Sequence, residues 1–174
     1  MEERLNESDE IAAFRRTVER YIENNVSLEI GNSSPAHARV LIDCMFRHAQ
    51  KTAYVFCGCL SNEVWGDERI AASVEDAIGR GVEVVFLVQR RDDIPGDSPV
   101  KRVLEASGNR ILSSPLFAEV EHHFAVFDGQ RYRFEYDDGR KMATACMYAP
   151  LLAGQFLEVA RRMAAVSGRK AEVA

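Results

Sequence analysis

Residues 121 to 135, EHHFAVFDGQRYRFE, concentrate side chains that can do chemistry. His122 and His123 supply imidazoles able to attack an electrophile or move a proton, Asp128 supplies a carboxylate that could orient one of them, and Arg131 and Arg133 supply guanidiniums. Spacing restricts how they combine. On an extended strand alternate side chains share a face, so Glu121 and His123 look one way while His122 looks the other with Phe124 and Val126. The two histidines serve one site only where a bulge re-aims one of them. Asp128 precedes Gly129, the pair used by two-residue hairpin turns, so a turn role competes with a catalytic one. Arg131 and Arg133 alternate with Tyr132 and Phe134; such a ladder either binds phosphate and stacks on bases or forms the solvated face of a strand.

Elements that must position these residues follow from periodicity. Ile11, Phe14, Val18, Tyr21 and Ile22 recur at helical spacing after Ser8, a suitable N-cap. An extended run, VSLEIG (26 to 31), precedes a helix begun by Ser34-Pro35, with Val40, Leu41, Cys44, Met45 and His48 on one face. TAYVFCGCL (52 to 60) predicts a strand, about Asp67 to Gly79 a helix, and VEVVFLVQ (82 to 89) the strongest strand of the chain. Arg90 and Arg91 come just after that strand, at the carboxyl end where α/β sheets place their sites. A short helix from Pro99, a strand at NRILSS (109 to 114), the hairpin, an extended MATACMY (142 to 148) and a long helix from Pro150 complete the pattern. The last helix is expected to bury Leu152, Phe156, Val159, Ala160 and Met163. This order predicts an α/β fold: a mixed, mainly parallel central sheet with helices on both faces, a late antiparallel hairpin and a long C-terminal helix.

The 174 residues, 47% hydrophobic and 28% charged, suit one domain. A net charge of -5 disfavours a body that wraps nucleic acid by phosphate neutralisation alone. No apolar run approaches the roughly 18 residues of a membrane span, and the acidic start MEERLNESDE is unlike a signal peptide, so a cytoplasmic protein without membrane contact is expected. Cys44, Cys57, Cys59 and Cys146 read as reduced, buried thiols; Cys57 and Cys59 point to one face of their strand, and no partners for a metal site are evident. No cofactor is implied. Trp65, between a strand and a helix, reads as a partly buried anchor.

Element order, the apolar run FAVF before Asp128, the DG turn after it and the later strand together resemble one half of a phospholipase D superfamily enzyme. The resemblance implies an N-terminal helix (1 to 25), a phospholipase D-like domain (26 to 168) and a frayed tail (169 to 174). In that family a motif HxKxxxxD supplies a histidine that attacks phosphorus, a lysine that holds the phosphate and an aspartate that orients the histidine; a G(S/G)xN strand adds an asparagine. With Asp128 as the motif's aspartate, Glu121 stands at the nucleophile and His123 at the lysine. Ala143-Thr144-Ala145-Cys146 falls on the second motif, where Thr144 keeps a hydroxyl and Cys146 replaces asparagine. A carboxylate at Glu121 repels an anionic diester, and loss of the lysine removes its main neutralising charge.

The resemblance therefore implies a degenerate phospholipase D-like binding, assembly or regulatory module. It would be a homodimer, because family sites form between two halves, with a protein or nucleic acid as further partner. Its ligand contacts would come from Glu121, Arg131, Arg133, Thr144 and Cys146. Two alternatives stand beside it: a weakly active phosphodiesterase or nuclease using His123 and Asp128, with His122, and a generic α/β partner-binding domain whose hairpin is structural.

Overall fold

A computed structural model describes residues 7–167 other than 109, 138 and 141, so the expected tail at 169 to 174 lies outside the described residues. Helices begin where their capping residues predict. α1 (Asp9–Glu23) starts after Ser8, whose hydroxyl accepts from the Ile11 N–H; β1 (Glu29–Asn32) follows, then α2 (Pro35–His48), capped by Ser34 on the His37 N–H. β2 (Thr52–Cys57) stops short of the expected strand because the chain bends at Gly58 and Cys59, and a single-turn α3 (Asn62–Trp65) follows. α4 (Glu68–Gly79) is capped by the Asp67 carboxylate, and β3 (Glu83–Val88), α5 (Pro99–Ala106) and β4 (Ile111–Leu112) come next. β5 (His123–Phe127) and β6 (Arg131–Asp137) form the hairpin, β7 (Met142–Cys146) returns, and α6 (Pro150–Ser167) ends the described chain.

Seven described strands make one mixed sheet in the order β1-β7-β6-β5-β2-β3-β4. The α/β class, the late hairpin and the C-terminal helix agree with expectation. The proportion of parallel pairing does not: only β2–β3 and β3–β4 are parallel, and the other four pairings are antiparallel. Alternation of strand and helix points to neighbouring parallel strands, but β5 occupies the place beside β2, which leaves β1 to pair with β7 at the far edge. Since β5 and β7 run against β2, they begin at the end of the sheet where β2 and β3 finish.

Helices α1 to α5 share one face of the sheet, and α6 lies on the other. On the first face Phe46 meets Phe127 edge-on at 4.9 Å, and Trp65, buried as expected of an anchor, meets Phe86 at 5.2 Å. Arg15 of α1 and Arg47 of α2 both pair with Asp43 of α2, a carboxylate only 1% exposed, so the buried charge is balanced and the Arg15 contact ties α1 to α2. On the second face Phe156 packs among Phe124, Tyr132 and Phe134. The buried stripe of α6 is rotated from its expected position: Ala153 and Ala160 are fully buried, whereas Leu152 and Val159 are 41% and 48% exposed. Two small residues let the helix approach closely enough for the Phe156 ring to reach the sheet. No described helix is long and apolar enough to cross a membrane.

The hairpin turn is locked to the start of β2. Asp128 (φ 56°) and Gly129 (φ 62°) both take the left-handed conformation that a two-residue turn of this hand requires. The Asp128 carboxylate accepts from the backbone N–H groups of Gln50, Lys51 and Thr52 at 2.7–3.1 Å and pairs with Arg131 at 3.1 Å. Asp128→Ala would remove the acceptor shared by three N–H groups, the buried Thr52 among them, and the ion-pair partner of Arg131. It is expected to lower unfolding free energy by about 3 kcal/mol in urea titration.

Two phenols make stability sensitive to alkali. Burial, then a hydrogen bond to Glu83, pushes Tyr54 from 10.0 up to about 12; burial and Glu29 push Tyr132 higher still. The unfolded chain sheds these protons near pH 10 while the folded one keeps them, so stability holds below that pH and falls as pH rises toward about 12. Urea midpoints measured across that range should show the decline, and Tyr132→Phe should flatten it.

Candidate functional site

Where β2 and β3 end and β5 begins, a cleft of about 80 Å³ is lined by Cys57, Cys59, Arg90, His123, Arg133 and Glu135. Cross-strand register assembles it. His123 stands opposite Glu135, and Ala125 opposite Arg133, so the three polar groups come from two neighbouring rungs of the β5–β6 ladder. Gly58, at the bend after β2, supplies the close approach on the other side. A β-carbon there would lie 2.8 Å from Arg90 Nη2 and 3.3 Å from His123 Cε1, so glycine lets the guanidinium and the imidazole lie where they do, and a larger residue would push the guanidinium aside.

His123 is held rather than presented. Gln89 donates its amide N–H groups to the carbonyls of Phe117 and Val120 at 2.7 and 2.8 Å, which turns its oxygen toward His123 Nε2 at 2.9 Å. An amide oxygen only accepts, so Nε2 carries the proton. The other nitrogen, Nδ1, faces Glu135 Oε1 at 3.6 Å, an ion pair when the ring is protonated. The side chain is 11% exposed, and its ring packs edge-on against Phe56 at 5.5 Å. Glu135 also binds Arg133 at 2.9 Å, and Arg133 Nε is buried with no hydrogen-bond partner among the described residues. Arg133 and Arg90 give the lining of the cleft two guanidiniums, whose N–H groups are donors of the kind that bind an anion.

The other residues singled out from the sequence are dispersed. Asp128 ends the strand that His123 begins, so the pair His123 and Asp128 is not brought together; the carboxylate is spent on the backbone of residues 50 to 52 instead of on an imidazole. His122 is exposed and its ring meets Phe134 at 5.4 Å, on the opposite face from the rungs that carry Arg133 and Glu135. Glu121 is exposed, precedes β5 and does not line the cleft. Thr144 stands opposite Phe134 and Cys146 opposite Tyr132, on the α6 side of the sheet, where the Cys146 thiol donates to the Tyr148 carbonyl. Neither reaches the cleft.

Arg131 and Arg133 are each 8% exposed, so their strand face is not solvated; Arg131 serves the turn, and Arg133 the cleft. Tyr132 is buried and donates to Glu29, which leaves no aromatic ladder for bases. Among the described residues no group of three or more His, Cys, Asp or Glu is arranged to hold a metal ion. Gln89, Gly58 and Glu135 were not singled out by the sequence pattern. The period-two run Arg131, Arg133, Glu135 opposite Tyr132 and Phe134 carried the signal for the last.

No protein-family model matches the chain, and no curated protein does. Solved structures do match. A phospholipase D family member, Nuc from Salmonella typhimurium, superposes with a TM-score of 0.62 at 17% identity, over 79% of this chain and 94% of that one. NucT from Helicobacter pylori gives 0.59 at 9% identity over 79% and 97%. TrmBL2, an archaeal chromatin protein described as having a novel mode of DNA binding, gives 0.61 at 12% identity over 88% of this chain and 61% of that one. The chain has a phospholipase D-like fold.

Because Arg133 and Glu135 are both about 8% exposed, removing one strands the other. Glu135→Leu should cost about 3–5 kcal/mol in urea unfolding, and Arg133→Met added to it should recover much of that loss.

Proposed function

We propose that this chain is a phospholipase D-like module that binds and assembles rather than cleaves, holding a small phosphate-bearing or similar anionic group in the cleft between β2, β3 and β5. One observation carries the reading: the imidazole nearest the cleft has Nε2 committed to Gln89 and Nδ1 turned to Glu135. Nucleophilic attack on phosphorus needs a lone pair directed at the substrate, and this ring has none so placed. At the position that the motif gives to the nucleophile stands Glu121, an exposed carboxylate. Arg90 and Arg133 speak for anion binding, since a guanidinium grips phosphate with paired donors whether or not any bond is broken.

The module works as a homodimer in the cytoplasm, with its cysteines reduced. A two-copy assembly is what the resemblance to one half of a phospholipase D enzyme implies. Its further partner is a protein. A DNA role, suggested by the name of one structural neighbour, is opposed by the net charge of -5.

The purified protein is expected to hydrolyse bis-p-nitrophenyl phosphate and single- or double-stranded DNA no faster than the His122→Ala, His123→Ala double variant, with or without divalent metal. Turnover clearly above that variant would establish the weakly active phosphodiesterase instead. Calorimetry should detect pyrophosphate binding that Arg90→Met abolishes, and sedimentation at tens of micromolar should give a dimer. Binding to single-stranded DNA across a salt series should show a slope near zero.

A further inference from the structure

Two thiols lie in the wall of this cleft and take no part in the binding just described. Cys57 is the last residue of β2 and Cys59 lies two positions on, in the bend, both lining the cleft. Two peptide units of about 3.8 Å cannot carry their Cα atoms beyond about 7.6 Å, and a bend shortens that span toward the range of about 4.4–6.8 Å that a disulfide needs. Gly58 between them lacks the side chain that would stiffen the link.

The other two cysteines are unlike them. Cys44 is fully buried in α2, where burial pushes its thiol up to about 12, and Cys146 is 2% exposed beneath α6. Cys59 is the described cysteine with partial access to solvent. Arg90 lies against Gly58 with its guanidinium, and Arg133 lines the same cleft. These donors can hold the oxygen of a peroxide while it departs.

We propose that Cys57-Gly58-Cys59 is a covalent modification site for hydroperoxides, in which Cys59 is oxidised first and Cys57 closes an intrachain disulfide. In the first step the Cys59 sulfur attacks the nearer oxygen of ROOH. An S–O bond forms, the O–O bond breaks, and RO⁻ leaves to take up the thiol's proton as ROH. Sulfur is oxidised to the sulfenic acid, and the peroxide is reduced. In the second step the Cys57 sulfur attacks Cys59; the S–S bond forms, the S–O bond breaks, and hydroxide leaves with the Cys57 proton as water. Closure re-forms the bend at residue 58, against which the Arg90 guanidinium and the His123 ring lie. Oxidation is thereby coupled to the placement of the cleft's cation and to its hold on the anion. That coupling, unlike the disulfide, rests on the anion-binding reading above.

The full chain is treated with one equivalent of tert-butyl hydroperoxide, denatured, alkylated and digested for mass spectrometry. The expected product is a peptide carrying residues 57 and 59 that is two hydrogens lighter than its reduced form and unalkylated, with Cys44 and Cys146 alkylated. Cys57→Ser should stop at a dimedone-trappable sulfenic acid on Cys59, and Cys59→Ser should leave Cys57 alkylated. An unchanged peptide, oxidation of Cys44 or Cys146 ahead of Cys59, or a disulfide between two chains would overturn the proposal. In parallel, pyrophosphate binding measured by calorimetry should be lost on oxidation of the natural chain and kept in treated Cys59→Ser. Full retention after the disulfide has formed overturns the coupling. Absence of pyrophosphate binding in the reduced protein, with the disulfide still forming, overturns the anion-binding reading and leaves the modification site standing.

Discussion

The Asp128 carboxylate joins two parts of the molecule that nothing local would bring together. It reaches across 76 residues to the Thr52 N–H, and its neighbours Gln50 and Lys51 donate to the same group. Those donors belong to the loop that leaves α2 and enters β2, whose first backbone groups would otherwise go unpaired. Once the turn is seated there, Phe127 must stand opposite Ala53, and the antiparallel register of β5 on β2 follows rung by rung to Phe124 opposite Phe56. Register is an all-or-none matter in a two-sided sheet, because a slip of one residue would carry Phe124 and Val126 from the α6 face to the other. The cleft lies at the opposite end of the same strand, and its geometry inherits this alignment.

What the amino-acid pattern made legible, and what it hid, divide along physical lines. Serine caps, the proline at the start of α2, the DG turn and the apolar run of β3 are local signals, and the structure honours each of them. Which strands become neighbours is not a local property. The place beside β2 went to β5, and the expected mainly parallel sheet became one with parallel pairing at one side only. Helix faces were legible to within one position: α6 turns Ala153 and Ala160 inward, because the bulk of Phe156 needs small neighbours to reach the sheet, and the more apolar Leu152 and Val159 are left outside.

The site shows the same division. Alternation correctly separated His122 from His123, since the pleat alone decides that. It could not reveal that Gln89, some thirty residues earlier in the chain, would bond to His123, or that Arg90 would line the same cleft. Asp128 misled for a physical reason: a carboxylate next to a histidine-bearing strand looks catalytic by composition, yet five residues of extended chain put the two groups at opposite ends of it. The arginines misled differently. Charged residues alternating with aromatics suggest a wet face, but here the charges are the buried ones, paired with Asp128 and Glu135.

β1 gives the fold an order of assembly. It emerges early from synthesis, yet its one partner among the described strands is β7, the last of them to be made. Until β7 arrives, the backbone groups of Glu29 to Asn32 can be satisfied only by water, and Asn32, whose buried side chain finds no partner among the described residues even in the finished fold, has no sheet to lie against. Contacts so far apart along a chain are made late and slowly. The nascent protein thus carries an unsealed margin for most of its own synthesis, and the strand that seals it is also the last one before α6 can close the second face.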